Sequence, residues 1–292
     1  LLSGLLLAGC VRQPQPSAEL TQARELPDCR HEDTVRFQTD LPTATVTAVK
    51  REFAGAVADV AGALGLPVPQ ETPAFSLHRA RQDGRSPLRA IDGQVLPQAD
   101  GVVFLAVREE LGDRDREVIR HEAVHWFLLH GFWIHGPDGS RRPGVPRWLD
   151  EGLATAFETG PTGTDDNPAR RQQFERLASP RWRALIGLRH TLDLRRDERM
   201  TSADYARSWA ICAYLLRRQP EQLRELLRRR QAWCQKPPRL PDLAAHEREL
   251  VPQCRREFER VVLNGESLAT WFGRVREGTA PAAVGPGPAT SP

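Results

Sequence analysis

Lysine, methionine and tyrosine are almost missing from this chain. Of 292 residues one is Met and two are Tyr, and only Lys50 and Lys236 stand among the 41 basic residues. An Arg content so free of Lys is a bias of composition, not a binding patch. Basic and acidic residues nearly cancel, 41 against 38, so the net charge of +3 leaves no electrostatic footprint for nucleic acid. No apolar run approaches the ~20 residues that a spanning helix needs, which excludes a polytopic membrane protein. Cysteine is sparse, and no two of the five have the spacing of a metal site. Repeats at solenoid periods are absent. What is present is a 40% hydrophobic complement, enough to bury a sizeable core, so wholesale disorder is excluded.

The first ten residues look like the apolar tail of a signal peptide. Leu7-Ala8-Gly9-Cys10 resembles the bacterial lipobox, in which small residues admit the signal peptidase and the Cys thiol becomes the lipid attachment point. Residues 1–10 are therefore expected to be a truncated lipoprotein signal peptide, and residues 11–40 a tether and lead-in. Val11 after the Cys, in place of Asp, favours the Gram-negative outer membrane, with the protein facing the periplasm. A three-acyl anchor of this kind holds stably, unlike a single chain. In that oxidising compartment Cys29, Cys212, Cys234 and Cys254 are disulfide candidates. Cys234 with Cys254 is the preferred pair, three full pairings are open, and Cys212 competes as a buried thiol.

Along the chain, Thr43–Leu66 carries Val46, Val49, Phe53, Val57, Val60 and Leu64 at helical spacing and stops at Gly65 and Pro67. Ala74–Ala80 and Gly101–Arg108 read as strands. Helices follow near 114–130, 146–158, 168–178, 202–218, 220–234 and 252–275. Residues 277–292, rich in Ala, Pro, Gly, Thr and Ser, are expected to be a disordered tail. The fold class is thus α+β, one domain over 41–276, with a small mixed sheet followed by a mainly helical half. Trp126, Phe132, Trp133 and Trp148 read as packing residues, and Arg228 to Arg230 as a solvated helix face.

The strongest chemical signal is His121-Glu122-Ala123-Val124-His125. Helix positions i and i+4 lie about 40° apart, so both imidazoles project from one face and can share an ion. Zinc suits these donors, and the adjacent Glu122 can take a proton from metal-activated water. His130, nine residues from His121, points to the opposite side and is a poor third ligand.

Downstream, Trp148-Leu149-Asp150-Glu151-Gly152-Leu153-Ala154 resembles the Trp-Leu-x-Glu-Gly-x-Ala segment of gluzincin metallopeptidases, the superfamily of aminopeptidase N and thermolysin. The similarity spans roughly residues 100–217 and extends to bacterial envelope proteins of unsettled function in that superfamily. It implies a zincin-like fold and makes Glu151, not Asp150, the third ligand beside His121 and His125, for one Zn2+ per chain. In those enzymes a later helix opens with a Tyr; here Tyr205 matches it, and the resemblance implies that its hydroxyl meets the oxyanion. Tyr214, nine residues on, is expected in the core.

Departures from the pattern are equally specific. Twenty-five residues separate His125 from Glu151, more than in aminopeptidase N, with the excess in the Gly/Pro-rich loop 131–145. The Gly-x-Met-x-Asn motif that reads a substrate amino terminus is absent. Thermolysin-like proteins place an Asp four residues after the ligand Glu to hold a ligand His. Thr155 stands there, which leaves Thr155 or Glu158 to that task. Gly101–Val107 takes the place of the edge strand bordering the cleft, whose free edge would pair with an extended peptide; an ordinary core strand is the alternative.

The expected function is a membrane-anchored zinc peptidase acting on a peptide or protein through a metal-activated water, with Glu122 as general base. The alternatives are a non-catalytic envelope binding module on the same fold, and a zinc amide hydrolase acting on a non-peptide cell-wall substrate.

Overall fold

A computed structural model describes residues 37–38, 41–79, 93–96, 101–135, 141–163, 167–177, 181–196, 198–235 and 243–278. The Cys10 lipobox, Cys29, the 11–40 tether apart from residues 37–38, and the tail beyond 278 lie outside them.

The N-terminal half holds β1 (Phe37–Gln38), α1 (Thr43–Leu64), β2 (Phe75–Arg79), β3 (Gly93–Leu96) and β4 (Val102–Val107). Helix α1 buries Val49, Phe53, Val57, Val60 and Leu64, its predicted stripe. It stops at Gly65, whose φ of 64° is left-handed, so that the Leu66 N–H reaches the Ala61 carbonyl at 3.0 Å. The strands form one sheet in the order β1-β2-β4-β3. β1, β2 and β4 are parallel, and β3 runs antiparallel to β4 with Val95 opposite Val103.

This topology corrects one expectation. β4 is not the edge strand: it is hydrogen-bonded on both sides, and five of its six residues are buried, as a strand covered on both faces must be. Among the described residues the edge strands are β1 and β3.

Helix α2 (Asp113–Gly131) follows β4 and packs beside α1 against β3 and β4. Phe53 meets Phe75 of β2 edge-on at 5.0 Å and Trp126 of α2 at 5.8 Å, locking both helices onto the sheet. At the start of α2 the Asp115 carboxylate accepts from the Gly112 N–H (2.8 Å) and from Arg108 Nε (2.8 Å), tying the helix to the end of β4.

Within the segment expected as a loop, two short strands are described. β5 (Trp133–His135) and β6 (Arg141–Pro143) pair antiparallel, and β6 is followed by α3 (Arg147–Phe157). Then come α4 (Pro168–Leu177), α5 (Arg181–Leu192), α6 (Ser202–Arg218), α7 (Pro220–Gln235), α8 (Leu243–Phe258), a π-helical turn (Glu259–Leu263) and α9 (Leu268–Gly278). The 252–275 segment expected as one helix is two, parted where Asn264 and Gly265 adopt positive φ. α8 begins upstream of Pro252, α5 was not anticipated, and α9 runs two residues into the expected tail.

α6 is the axis of the helical half: Trp209 to Leu216 are buried without interruption, and α3, α4, α5, α7 and α9 pack around it. Tyr214 is core, edge-on to Trp271 at 5.7 Å, and Phe258 links Trp271 to Trp148 of α3. Arg230 departs from expectation. Arg228 is solvated, 58% exposed and paired with Glu225, whereas the Arg230 side chain is fully buried. It donates to the Gly144 carbonyl from Nε (3.2 Å) and Nη2 (2.9 Å), faces Glu257 at 3.4 Å and lies over the Trp233 ring. Arg in this position is a tie, not a surface charge.

The preferred Cys234–Cys254 disulfide is not formed; Cys212, Cys234 and Cys254 are thiols. Burial pushes the Cys212 thiol up and raises Cys234 to about 11, so both stay protonated and unreactive.

Helices α3 and α6 approach most closely at Gly152. A Cβ there would stand 2.5 Å from the Ser208 carbonyl oxygen and 2.6 Å from Cys212 Sγ. Gly152→Ala is expected to push α3 off α6 and cost roughly 1–3 kcal/mol. Urea denaturation of the variant beside the parent checks this; an unchanged midpoint contradicts so tight a contact.

Candidate metal centre

Two helices bring the site together. His121 and His125 lie one turn apart on α2, and Glu151 projects from α3. Their inward atoms form a triangle: the two Nε2 atoms are 3.0 Å apart, and Glu151 Oε2 is 3.7 Å from His121 Nε2 and 3.6 Å from His125 Nε2. This group could hold a metal ion. Four-coordinate zinc, with bonds of about 2.0–2.1 Å, places neighbouring ligand atoms about 3.3 Å apart, within the span of these edges.

The outer nitrogens explain why the inner ones converge. His121 Nδ1 is 2.8 Å from Glu158 Oε1, and His125 Nδ1 is 2.7 Å from Asp150 Oδ1. Carboxylates only accept, so both Nδ1 atoms carry hydrogen and donate. Bound to a metal ion, both imidazoles would be neutral and would turn Nε2 lone pairs toward it; without one, the two Nε2 atoms at 3.0 Å share a proton, which the raised pKa of His125 favours. The donor set fits a dication of zinc type.

The carboxylates are themselves held. Asp150 Oδ2 accepts from Arg196 Nη2 at 2.7 Å, and the same nitrogen reaches the Val145 carbonyl at 3.0 Å. Glu158 Oε2 accepts from Asn167 Nδ2 at 3.3 Å, while Asn167 Oδ1 caps α4 through the Arg170 N–H. Two chains of contacts therefore run outward from the imidazoles, one to the α5–α6 connection and one to α4.

The charges follow from these contacts. Burial opposes ionisation of Asp150, but His125 and Arg196 outweigh it and hold the carboxyl well below the usual range. Burial likewise opposes the charge on Glu151, and the hydrogen bond and charges of the two histidines overcome it, lowering its pKa. For His125 burial disfavours the imidazolium, yet Asp150 and Glu151 win and raise it well above its ordinary value. Glu122, buried and with Oε2 lacking a hydrogen-bond partner, has its pKa raised, opposite to Asp150 and Glu151. Burial is the main cause; the histidines offset it, while Glu151 and Asp150 add to it. A carboxylate in that state takes up a proton more readily than one in water.

Tyr205, half-buried in the first turn of α6, lies within reach of these charges. Its phenol is pushed up to about 12, by burial and then by Glu151, against the pull of Arg147 and Arg170. The turn that holds it is built by Asp204, whose carboxylate accepts from the Thr201 N–H (3.0 Å) and hydroxyl (2.6 Å) and from Thr191 (2.9 Å).

Of the expected site residues, His121, His125 and Glu151 converge, Glu158 stands behind His121, and Glu122 and Tyr205 lie close by. Thr155 does not hold a ligand: it is fully buried, and its Oγ1 has no hydrogen-bond partner. The partner of His125 is instead Asp150, beside Glu151 rather than four residues after it. Asp150 was legible as a carboxylate within the motif; Arg196 and Asn167, from separate segments, carried no local signal. His130 is not part of this group; it is buried against the Trp126 ring, tilted by 36° with ring centroids 4.5 Å apart.

Residues 116–238 match a family described as "Protein of unknown function (DUF1570)". The matched stretch takes in the three converging side chains, Glu122, Asp150, Glu158, Arg196 and Tyr205. No curated protein matches the chain.

Two substitutions test this assembly. Asp150→Asn removes the charge behind His125, and affinity for an added divalent metal ion is expected to fall about 10–100-fold; competition with a chelator measures it, and unchanged affinity contradicts the role. Asp204 has a depressed pKa: burial opposes its charge, but Thr201, Thr191 and Arg207 prevail. Its stabilisation is therefore present above the unfolded value of about 3.9 and is lost as pH falls through the folded value. Asp204→Asn is expected to cost about 1 kcal/mol at neutral pH and to flatten the acid limb of a melting-temperature profile.

Proposed function

We propose that this protein is a zinc-dependent peptidase of gluzincin type, with a zincin-like fold, carried on the bacterial envelope by a lipid on Cys10. The observation that carries the reading is the inward triangle of His121 Nε2, His125 Nε2 and Glu151 Oε2, each imidazole backed by its own carboxylate, with buried Glu122 next in sequence to His121. A zinc ion held there would supply Lewis acidity and make water nucleophilic near neutral pH.

The chain's own residues do the rest. Glu122, its pKa raised by burial, accepts the proton of the attacking water. Water oxygen bonds to the carbonyl carbon, the C–N bond breaks, and Glu122 passes its proton to the leaving nitrogen. Tyr205, held protonated by its raised pKa, donates its O–H to the carbonyl oxygen as negative charge develops. Asp150 and Glu158 keep both imidazoles in the tautomer that presents Nε2, and Arg196 keeps Asp150 charged and aimed.

The full chain, purified without chelator, is expected to hold about one zinc, and mixed peptides are expected to be cleaved. Glu122→Gln preserves shape and removes the base, so zinc content stays while turnover falls about 10²–10⁴-fold. Metal analysis and a peptide-mixture assay by mass spectrometry check both. Protein that neither retains nor takes up zinc overturns the metal, and a fully active Glu122→Gln variant overturns the base.

A further inference from the structure

Two arginines beside Tyr205 have no place in the chemistry above. Arg147 opens α3, four residues before Glu151, and Arg170 lies in the first turn of α4. Both are half-buried. Arg147 Nη1 donates to the main-chain carbonyls of Arg196 (2.9 Å) and Glu198, which leaves its remaining N–H groups to other acceptors. The Arg170 guanidinium stands over the Tyr205 ring, 5.5 Å from its centroid. Among the described residues neither guanidinium meets a carboxylate. Arg120, Arg196, Arg207 and Arg230, buried or half-buried in the same body, each have one.

A cation drawn partly out of water without a counter-charge is costly, and a ligand anion would relieve it. The surroundings point the same way. Glu122, Asp150, Glu151 and Glu158 crowd the inner site, and Arg196 together with a bound dication falls short of neutralising them. An anionic ligand would be repelled there unless other cations faced it. Arg147 and Arg170 lie close enough to Tyr205 for their charges to act on its phenol.

We propose that Arg147 and Arg170 form a carboxylate-binding subsite beside Tyr205, so that the preferred substrate carries a carboxylate next to the cleaved bond. The guanidinium fork suits that group, and the carboxylate comes either from the peptide's own C-terminus or from an acidic side chain. The inference rests on the peptidase reading only for placing Tyr205 at the reacting bond; binding tests it without turnover.

Three probes separate the sources: N-acetyl-tetraalanine with a free carboxylate, its C-terminal amide, and N-acetyl-Ala-Asp-Ala-Ala amide. Each is titrated calorimetrically into the full chain, with and without added zinc. At least one carboxylate-bearing peptide is expected to bind about tenfold or more tighter than the uncharged amide. The free acid winning assigns the terminal carboxylate, and the Asp peptide winning assigns a side chain. Arg170→Gln is expected to abolish the preference without altering zinc content or melting temperature, and Arg170→Lys to restore part of it. Equal binding of all three, no measurable binding of the anionic probes at millimolar concentration, or a preference that survives in Arg147→Gln/Arg170→Gln overturns the subsite. Failure to retain zinc overturns the metal reading instead, and is scored separately.

Discussion

The approach of α3 to α6, backbone against backbone at Gly152, sets the depth at which Glu151 enters the molecule, and with it the geometry of everything that faces α2. The residue beside Glu151 has no side chain because the Ser208 carbonyl and Cys212 Sγ occupy the space where one would go. The same contact brings Tyr205, one turn up α6, near Glu151. Close packing here is therefore a positioning device: interiors yield little to added volume, so the ligand cannot drift without repacking α6. The buried hydroxyls of Thr155 and Ser208, both without hydrogen-bond partners, lie on these two facing helices. Hydrophobic burial around them has to offset that cost.

Around this contact the charges are layered. Innermost are two imidazoles and Glu151, a group that could hold a metal ion. Next are Asp150 and Glu158, each spending one oxygen on an imidazole and the other on a donor from a separate segment. Outermost are Arg196 and Asn167. Each layer fixes the orientation of the one inside it, and the fixing groups come from far along the chain: Asp150 is 25 residues from His125, Glu158 37 from His121 and Arg196 46 from Asp150, while Asn167 is nine from Glu158. Glu122 stands outside this arrangement, buried and with one oxygen unpartnered.

How much of this could be read in the sequence depended on the range of the interaction. The helix carrying His121 and His125, the Glu151 motif and the apolar stripe of α1 are local patterns, and each was legible residue by residue. Tyr205 was found through resemblance and because the chain has only two tyrosines. What escaped was set by tertiary contact. Arg230 sits in an Arg run that reads as surface, and only its contacts with Gly144 and Glu257, distant in sequence, show that it is buried. β4 could not be told from an edge strand, because its neighbour β3 is a four-residue strand with little signal. Thr155 was placed by analogy with another protein's spacing, whereas the actual partner of His125 was already inside the quoted motif. The Cys234–Cys254 pairing failed for the same reason: closeness in sequence does not bring two thiols to bonding geometry.

The tie from Arg230 to the Gly144 carbonyl has a consequence for where this molecule can be divided. Its counter-charge is Glu257, and Trp148, three residues before Glu151, packs on Phe258. Both partners lie beyond residue 238, where the family match ends. A chain cut at that border would keep every residue of the metal triangle and still leave a buried guanidinium without its carboxylate and Trp148 without its neighbouring ring. The stretch that is similar to other proteins is therefore shorter than the stretch that must fold together. The packing behind the candidate site thus extends into α8 through Glu257 and Phe258, and on to α9 through Trp271.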